Sequence, residues 1–166
     1  MNGRLWATWR MEYITGGDAQ GCFLCEYPRQ ERDTENLILA RTEHCFVIMN
    51  RYPYTNGHLL VAPYRHEGDP GALSTEEYSE LTETVRRSVA VIDKAMGPDG
   101  MNVGFNLGKV AGAGLEEHLH FHLVPRWNGD NNMMPVLGAV RVISEGLGAT
   151  FGKLEPFFNE AFGSAS

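Results

Sequence analysis

The chain is short of positive charge: 14 lysines and arginines face 21 aspartates and glutamates, for a formal net charge of −7. That balance argues against binding polymeric DNA or RNA, which needs a basic patch to displace counterions. A small anion, held by backbone amides and one or two cations, is still permitted. Long apolar runs are missing too, and nothing approaches the roughly 18 residues of a membrane span. The first ten residues, MNGRLWATWR, break their apolar content with Arg and Trp and lack the core of a secretion signal. A cytoplasmic location without membrane attachment is the expectation. Cysteines number only three, Cys22, Cys25 and Cys45, too few for a disulfide scaffold. Cys22-x-x-Cys25 therefore points to metal or redox chemistry. Repeats, low-complexity tracts and linkers are absent, and 1–166 reads as one domain.

Histidine is also scarce, yet three of the six histidines fall in one run: His118, His120 and His122 alternate with Leu119, Phe121 and Leu123 before Val124-Pro125. A helix would scatter these rings. In a β-strand successive side chains point to opposite faces, so the histidines line one face and the apolar residues the other. Same-face neighbours are then about 6.6 Å apart, from a rise of about 3.3 Å per residue. Such a row is either part of a metal site, a set of imidazoles sharing catalytic work, or a polar solvated face.

Around it the expected elements are few. Apolar runs at 36–40 and 44–49 suggest a hairpin, and Asn56-Gly57 marks a turn before a strand at 58–62. The one long helix is expected at 75–96, with Ser74 and Glu77 as a capping box and Gly97-Pro98 as its stop. Its apolar stripe is Tyr78, Leu81, Val85, Val89, Ile92 and Met96. Strands at 101–107 and 118–125 follow, and a shorter helix is expected near the C-terminus, before a poorly ordered tail at about 160–166. This order predicts an α+β domain, an antiparallel sheet covered on one face. A Gly- and Cys-bearing knuckle should occupy about 16–32.

Between the last two strands lies Gly108-Lys-Val-Ala-Gly112-Ala-Gly114. Its glycines let backbone N–H groups approach an anion, although such a hairpin is often just a flexible turn. Asn50 and Asn106 sit at strand ends, where an amide can hold a ribose hydroxyl. The Cys pair supplies two thiolates, and zinc takes four ligands, so any zinc here must recruit histidines from elsewhere. A thioredoxin-like redox pair lacks its βαβ context, and two small core residues is the bland alternative.

His118-x-His120-x-His122-x-x-Pro125 resembles the signature of the histidine triad (HIT) superfamily of nucleotide hydrolases and transferases. Phe46 to Pro63 resembles that family's nucleotide-binding hairpin, and Asn102 to Gly108 with Ala111-Gly112 its substrate loop. Arg4 to Tyr13 and Pro125 to Asp130 are similar to a bacterial branch that includes diadenosine-tetraphosphate phosphorylases. The resemblance covers about Arg4 to Leu147.

It implies a HIT-like fold: a five-stranded antiparallel sheet with one long helix, usually paired into a homodimer. It implies cleavage at the α-phosphate of diadenosine polyphosphates or related nucleotides. His120 would be the nucleophile, forming a nucleotidyl-histidine that water or phosphate resolves. His122 would touch phosphate or leaving-group oxygens, and His58 would orient from behind. Ile48 would line the base and Asn50 the ribose; Asn106 would lie near the leaving group, and backbone amides near Gly112 to Gly114 would stabilise the developing charge. Gly114 stands where relatives often carry a hydroxyl, and the loop is about one residue longer than in eukaryotic branches. The resemblance further implies a structural zinc on Cys22, Cys25, His66 and His118, and no organic cofactor. Phosphorolysis would need a second anion site, for which Lys109, Arg126 and the Gly129-Asp130 loop are candidates. Two rival readings are a zinc-dependent metallohydrolase with His118 and His120 as ligands, and a non-catalytic nucleotide sensor.

Overall fold

The computed structural model describes residues 21–130 and 143–163. The stretch 1–20, including the Arg4 to Tyr13 resemblance and the start of the knuckle, lies outside the described residues, as do 131–142 and 164–166. Five antiparallel strands form one sheet in the order β1-β2-β3-β5-β4. They are β1 Ile38–Arg41, β2 Cys45–Met49, β3 Leu59–Pro63, β4 Gly100–Gly104 and β5 Phe121–Arg126. Among the described residues four α-helices accompany them: α1 Phe23–Glu26, α2 Asp33–Asn36, α3 Thr75–Met96 and α4 Leu147–Phe162. This is the expected α+β architecture. Among the described residues no helix is long and apolar enough to cross a membrane.

Strands β2 and β3 are buried along their whole length because both of their faces are apolar. Cys45, Val47, Met49, Leu59 and Val61 point into the main core with Leu81, Ile92, Leu154 and Phe158. Phe46, Ile48, Leu60 and Ala62 form a second cluster on the opposite face, closed by Leu24 and flanked by Tyr27 and Tyr64. The knuckle thus covers part of the face expected to be open. Asp33 clamps α2 to β1 by accepting two hydrogen bonds from Arg41, at 2.6 and 2.9 Å, a bidentate geometry that fixes orientation as well as distance.

Helix α3 has the bounds read from the sequence. Ser74 and Glu77 make both halves of the capping box, and Gly97 ends the helix at φ 57°. Its buried stripe is broader than expected, taking in Thr84, Ser88 and Val91 beside Leu81, Val85 and Ile92, because α4 packs on α3 as well as the sheet. Arg87 caps α4 through the Ala161 carbonyl and lies 3.9 Å over the Phe162 ring. Helical order therefore runs into the stretch expected to be a loose tail.

Two strand assignments need correction. β4 stops at Gly104, and β5 starts only at Phe121. His118 and His120 therefore precede the strand. Their segment has a different partner: the Leu119 N–H is donated to the Glu67 carbonyl, 2.6 Å away, in the loop after β3. The alternation survives without a ladder, since Leu119, Phe121 and Leu123 all enter the main core.

Candidate active site

Three histidines, set at alternate positions, have three different environments. His118 is fully buried. Its Nε2–H is donated to the Pro63 carbonyl at 2.8 Å, which leaves the lone pair on Nδ1. His120 turns the other way: its Nδ1 lies 2.8 Å from the His118 carbonyl oxygen. A carbonyl can only accept, so the proton sits on Nδ1 and the lone pair on Nε2. Burial lowers the pKa of His120 below the usual imidazole value, and the ring is neutral at pH 7.

His122, on β5, closes a second chain. The Tyr54 N–H is donated to His58 Nδ1 at 3.1 Å, so His58 carries its proton on Nε2 and donates it to His122 Nδ1 at 3.0 Å. The His122 proton must then lie on Nε2. Burial pulls its pKa down to about 4. His58 is wholly buried, and the Tyr54 ring packs on it and lies nearly parallel to His122, with centroids 4.7 and 6.0 Å away. The His120 and His122 rings meet edge to face at 4.9 Å. Side by side stand an unprotonated nitrogen, His120 Nε2, and a donor, the N–H on His122 Nε2. Neither needs a charge.

The Nδ1 of His118 faces a separate cluster. Cys22 Sγ and Cys25 Sγ lie 3.2 and 3.4 Å from it, and His66 Nδ1 lies 3.3 Å away. Zinc–sulfur and zinc–nitrogen bonds of about 2.3 and 2.0 Å give a tetrahedron with edges of roughly 3.3–3.8 Å, close to what these atoms form. Outer partners fit too. The far nitrogen of His118 is held by the Pro63 carbonyl, and that of His66 faces the Glu117 carboxylate at 3.8 Å, the support expected of metal-ligating histidines. Burial pushes the Cys22 thiol up to about 11, and a divalent cation would reverse that by drawing off the proton. The residues present fit a zinc ion, and His120 is not among them.

A HIT domain model matches residues 31–129. The chain belongs to the HIT family. It is 39% identical over 153 residues to AP-4-A phosphorylase of Mycobacterium tuberculosis, covering 86% of this chain and 77% of that protein. Among solved structures it resembles a Zn-bound histidine triad family protein from Mycobacterium smegmatis, with 25% identity, a TM-score of 0.68, and coverage of 85% and 95%. A hypothetical histidine triad nucleotide-binding protein from Sulfolobus tokodaii gives 26% identity, a TM-score of 0.67, and coverage of 84% and 91%.

The remaining positions suggested by HIT resemblance fall unevenly. Ile48 is buried under Leu24 in the second cluster, so a base could reach only the rim above it. Asn50 Oδ1 accepts the Tyr52 N–H at 2.9 Å, and its amide nitrogen lies 3.4 Å from His58 Nδ1, which places it behind the histidines as a brace. Asn106 and His122 line one cavity. Gly112, at φ 94°, sits where a Cβ would lie 3.5 Å from the Asn106 amide nitrogen. Its N–H is turned into the loop toward the Lys109 carbonyl, as that of Ala113 is toward Gly108. The Gly112 N–H is therefore already engaged inside the loop. Arg126 is neutralised in place by Asp130, at 2.5 and 2.9 Å. Tyr54 and the Pro63 carbonyl were missed in the sequence, because neither has a signature and both act only through the fold.

Proposed function

We propose that this HIT protein is a nucleotidyl transferase or hydrolase acting at the α-phosphate of dinucleoside polyphosphates, with His120 as nucleophile. One observation carries this: the His118 carbonyl holds the His120 proton on Nδ1 and so fixes the lone pair on Nε2. That lone pair forms the N–P bond as the bond from the α-phosphorus to its bridging oxygen breaks. The electron pair leaves with the polyphosphate, an adequate leaving group without protonation. An oxygen of water or phosphate then forms the new P–O bond and expels His120. Splitting the displacement in two replaces attack by water on an anionic phosphate with attack by a neutral imidazole. The Nε2–H of His122 hydrogen-bonds the phosphate and leaving-group oxygens as charge develops, with His58 orienting that ring. Asn106 stands by the leaving group and the loop at Gly114 by the phosphates, with Asn50 toward the ribose and the rim above Ile48 taking the base.

The resemblance to AP-4-A phosphorylase favours phosphate as the acceptor and diadenosine tetraphosphate as the substrate. Cys22, Cys25, His66 and His118 hold a structural zinc, which ties the knuckle to the histidine segment. The metallohydrolase reading is disfavoured because His120 bonds a carbonyl and stands apart from the metal-capable cluster. The chain pairs as a homodimer through the edge of β4, which has no partner strand among the described residues.

The test is incubation with diadenosine tetraphosphate, with and without phosphate, separating products by chromatography. ADP and ATP formed only with phosphate mark a phosphorylase, and AMP and ATP mark a hydrolase. Acid-labile, alkali-stable nucleotide should be trapped on the wild-type chain. Turnover surviving in His120→Ala would overturn the assignment.

A further inference from the structure

The sheet register places four residues in one transverse row. Ile48 pairs with Leu60, Leu60 with His122, and His122 with Gly104. Strands lie about 4.8 Å apart, so Ile48 is roughly 10 Å from His122 on one side, with Gly104 one strand away on the other. If the retained nucleotide extends from Ile48 toward the histidines, whatever departs must lie over β5 and β4. A cavity of about 1090 Å³ stands there, and of the three triad histidines, His122 alone lines it. Ligand pockets run from about 300 to 1,000 Å³, so a nucleoside with part of its phosphate chain fits easily.

We propose that this cavity is the subsite for the departing half of a dinucleotide, nucleoside included; this rests on the nucleotidyl-transfer reading above. Its walls suit an uncharged end group. Tyr54 and Trp127 supply aromatic faces for a base, and Asn106 and Asn128 supply amides for its edge or the ribose. Among the described residues its cations are already compensated, Arg126 by Asp130 and Lys153 by Glu145, so these side chains offer a second polyphosphate no uncompensated positive charge. The phosphates stay at the histidines, where the His122 donor meets them. In-line displacement adds a second use. His120 occupies one side of the phosphorus, so the leaving oxygen departs from the other, and the acceptor oxygen must arrive from that same side. The cavity is therefore the exit for the nucleoside triphosphate and the entrance for phosphate or water.

Gly104 tests this without replacing a histidine, and because it pairs with His122 the readout is a ratio between two substrates rather than a rate. A Cβ there meets nothing within 4 Å, so Gly104→Ala, Gly104→Val and Gly104→Leu fill the floor of the cavity in graded steps. The substrates compared are diadenosine tetraphosphate and adenosine 5′-tetraphosphate, which has the same phosphate chain but no second nucleoside. The ratio of their kcat/KM values should fall with side-chain size, by about tenfold or more at Leu. Melting curves identify any variant that fails to fold, and the Ala variant, with the least added volume, then carries the comparison. In a His120→Ala background, calorimetry should show Gly104→Leu removing whatever affinity advantage the dinucleotide has. An equal loss for both substrates, or an unchanged ratio at Leu, overturns the subsite. Absence of any adduct or turnover in the wild type would instead sink the nucleotidyl-transfer reading.

Discussion

The His120 ring donates its Nδ1 proton to the carbonyl oxygen of His118, 2.8 Å away, so two residues of one short segment divide the labour of the site. The side chain of His118 belongs to the thiol cluster while its backbone holds the neighbouring imidazole in the reactive tautomer. Replacing His120 by Ala should reduce turnover by on the order of 10⁴ or more, since an activated nucleophile acts as a unit with its partners. Nucleotide binding, followed by calorimetry, should survive. Residual activity within tenfold of wild type would move the nucleophile elsewhere.

His58 is predicted to act through His122. His58→Phe keeps the ring volume but removes the proton donated to His122 Nδ1, so the His122 proton is no longer confined to Nε2. kcat should drop on the order of tenfold to a hundredfold with KM changing less. Stability should fall by about 1–3 kcal/mol, because the Tyr54 amide loses its acceptor. Steady-state kinetics and urea melts check both, and a loss confined to KM would contradict the orienting role.

Acidity gives an independent reading. Burial holds His122 at about 4, below the roughly 6.5 of a free imidazole. The ring therefore stays neutral well into acid, and with burial lowering His120 as well, kcat/KM should stay level through about pH 6.5 and decline only at lower pH. Linkage has the same sign. The unfolded chain binds this proton more tightly, so the stability contribution is complete above about 6.5 and is lost as pH falls through the folded value. An activity midpoint near 6.5 would show that the ring is solvated.

Elemental analysis should find one zinc per chain, removed by Cys22→Ser or Cys25→Ser. Stripping the metal should cost several kcal/mol of stability, visible as a lower melting temperature, because a Cys22 thiol pushed up to about 11 is left beside the buried His118 ring. A metal-free protein that melts where the untreated one does would refute the site.

Gly68 lies against the backbone just before His118. A Cβ there would stand 2.2 Å from the Glu116 carbonyl oxygen and 3.2 Å from the Glu117 Cα, both backbone atoms with little room to move. Gly68→Ala should push the 116–118 segment away from its loop, lowering stability by about 1–3 kcal/mol and turnover with it. Thermal denaturation and initial rates report the two effects.

Local chemistry made much of this molecule readable from its residues. Ser74, Glu77 and Gly97 bounded α3 because capping and left-handed glycine depend on neighbours within four positions. The alternation of Leu119, Phe121 and Leu123 located the core, and the spacing of the histidines pointed to the candidate site. What the chain could not disclose by itself were partners far away along it. Pro63 fixes the His118 ring across 55 residues, and His58 fixes His122 across 64. The Glu67 carbonyl takes the Leu119 amide, and β5 begins only at Phe121. Composition and periodicity decide which groups are present and which side of the backbone they leave. Only tertiary packing decides which lone pair each imidazole keeps, because a tautomer is set by whatever carbonyl or ring the fold brings within hydrogen-bonding distance.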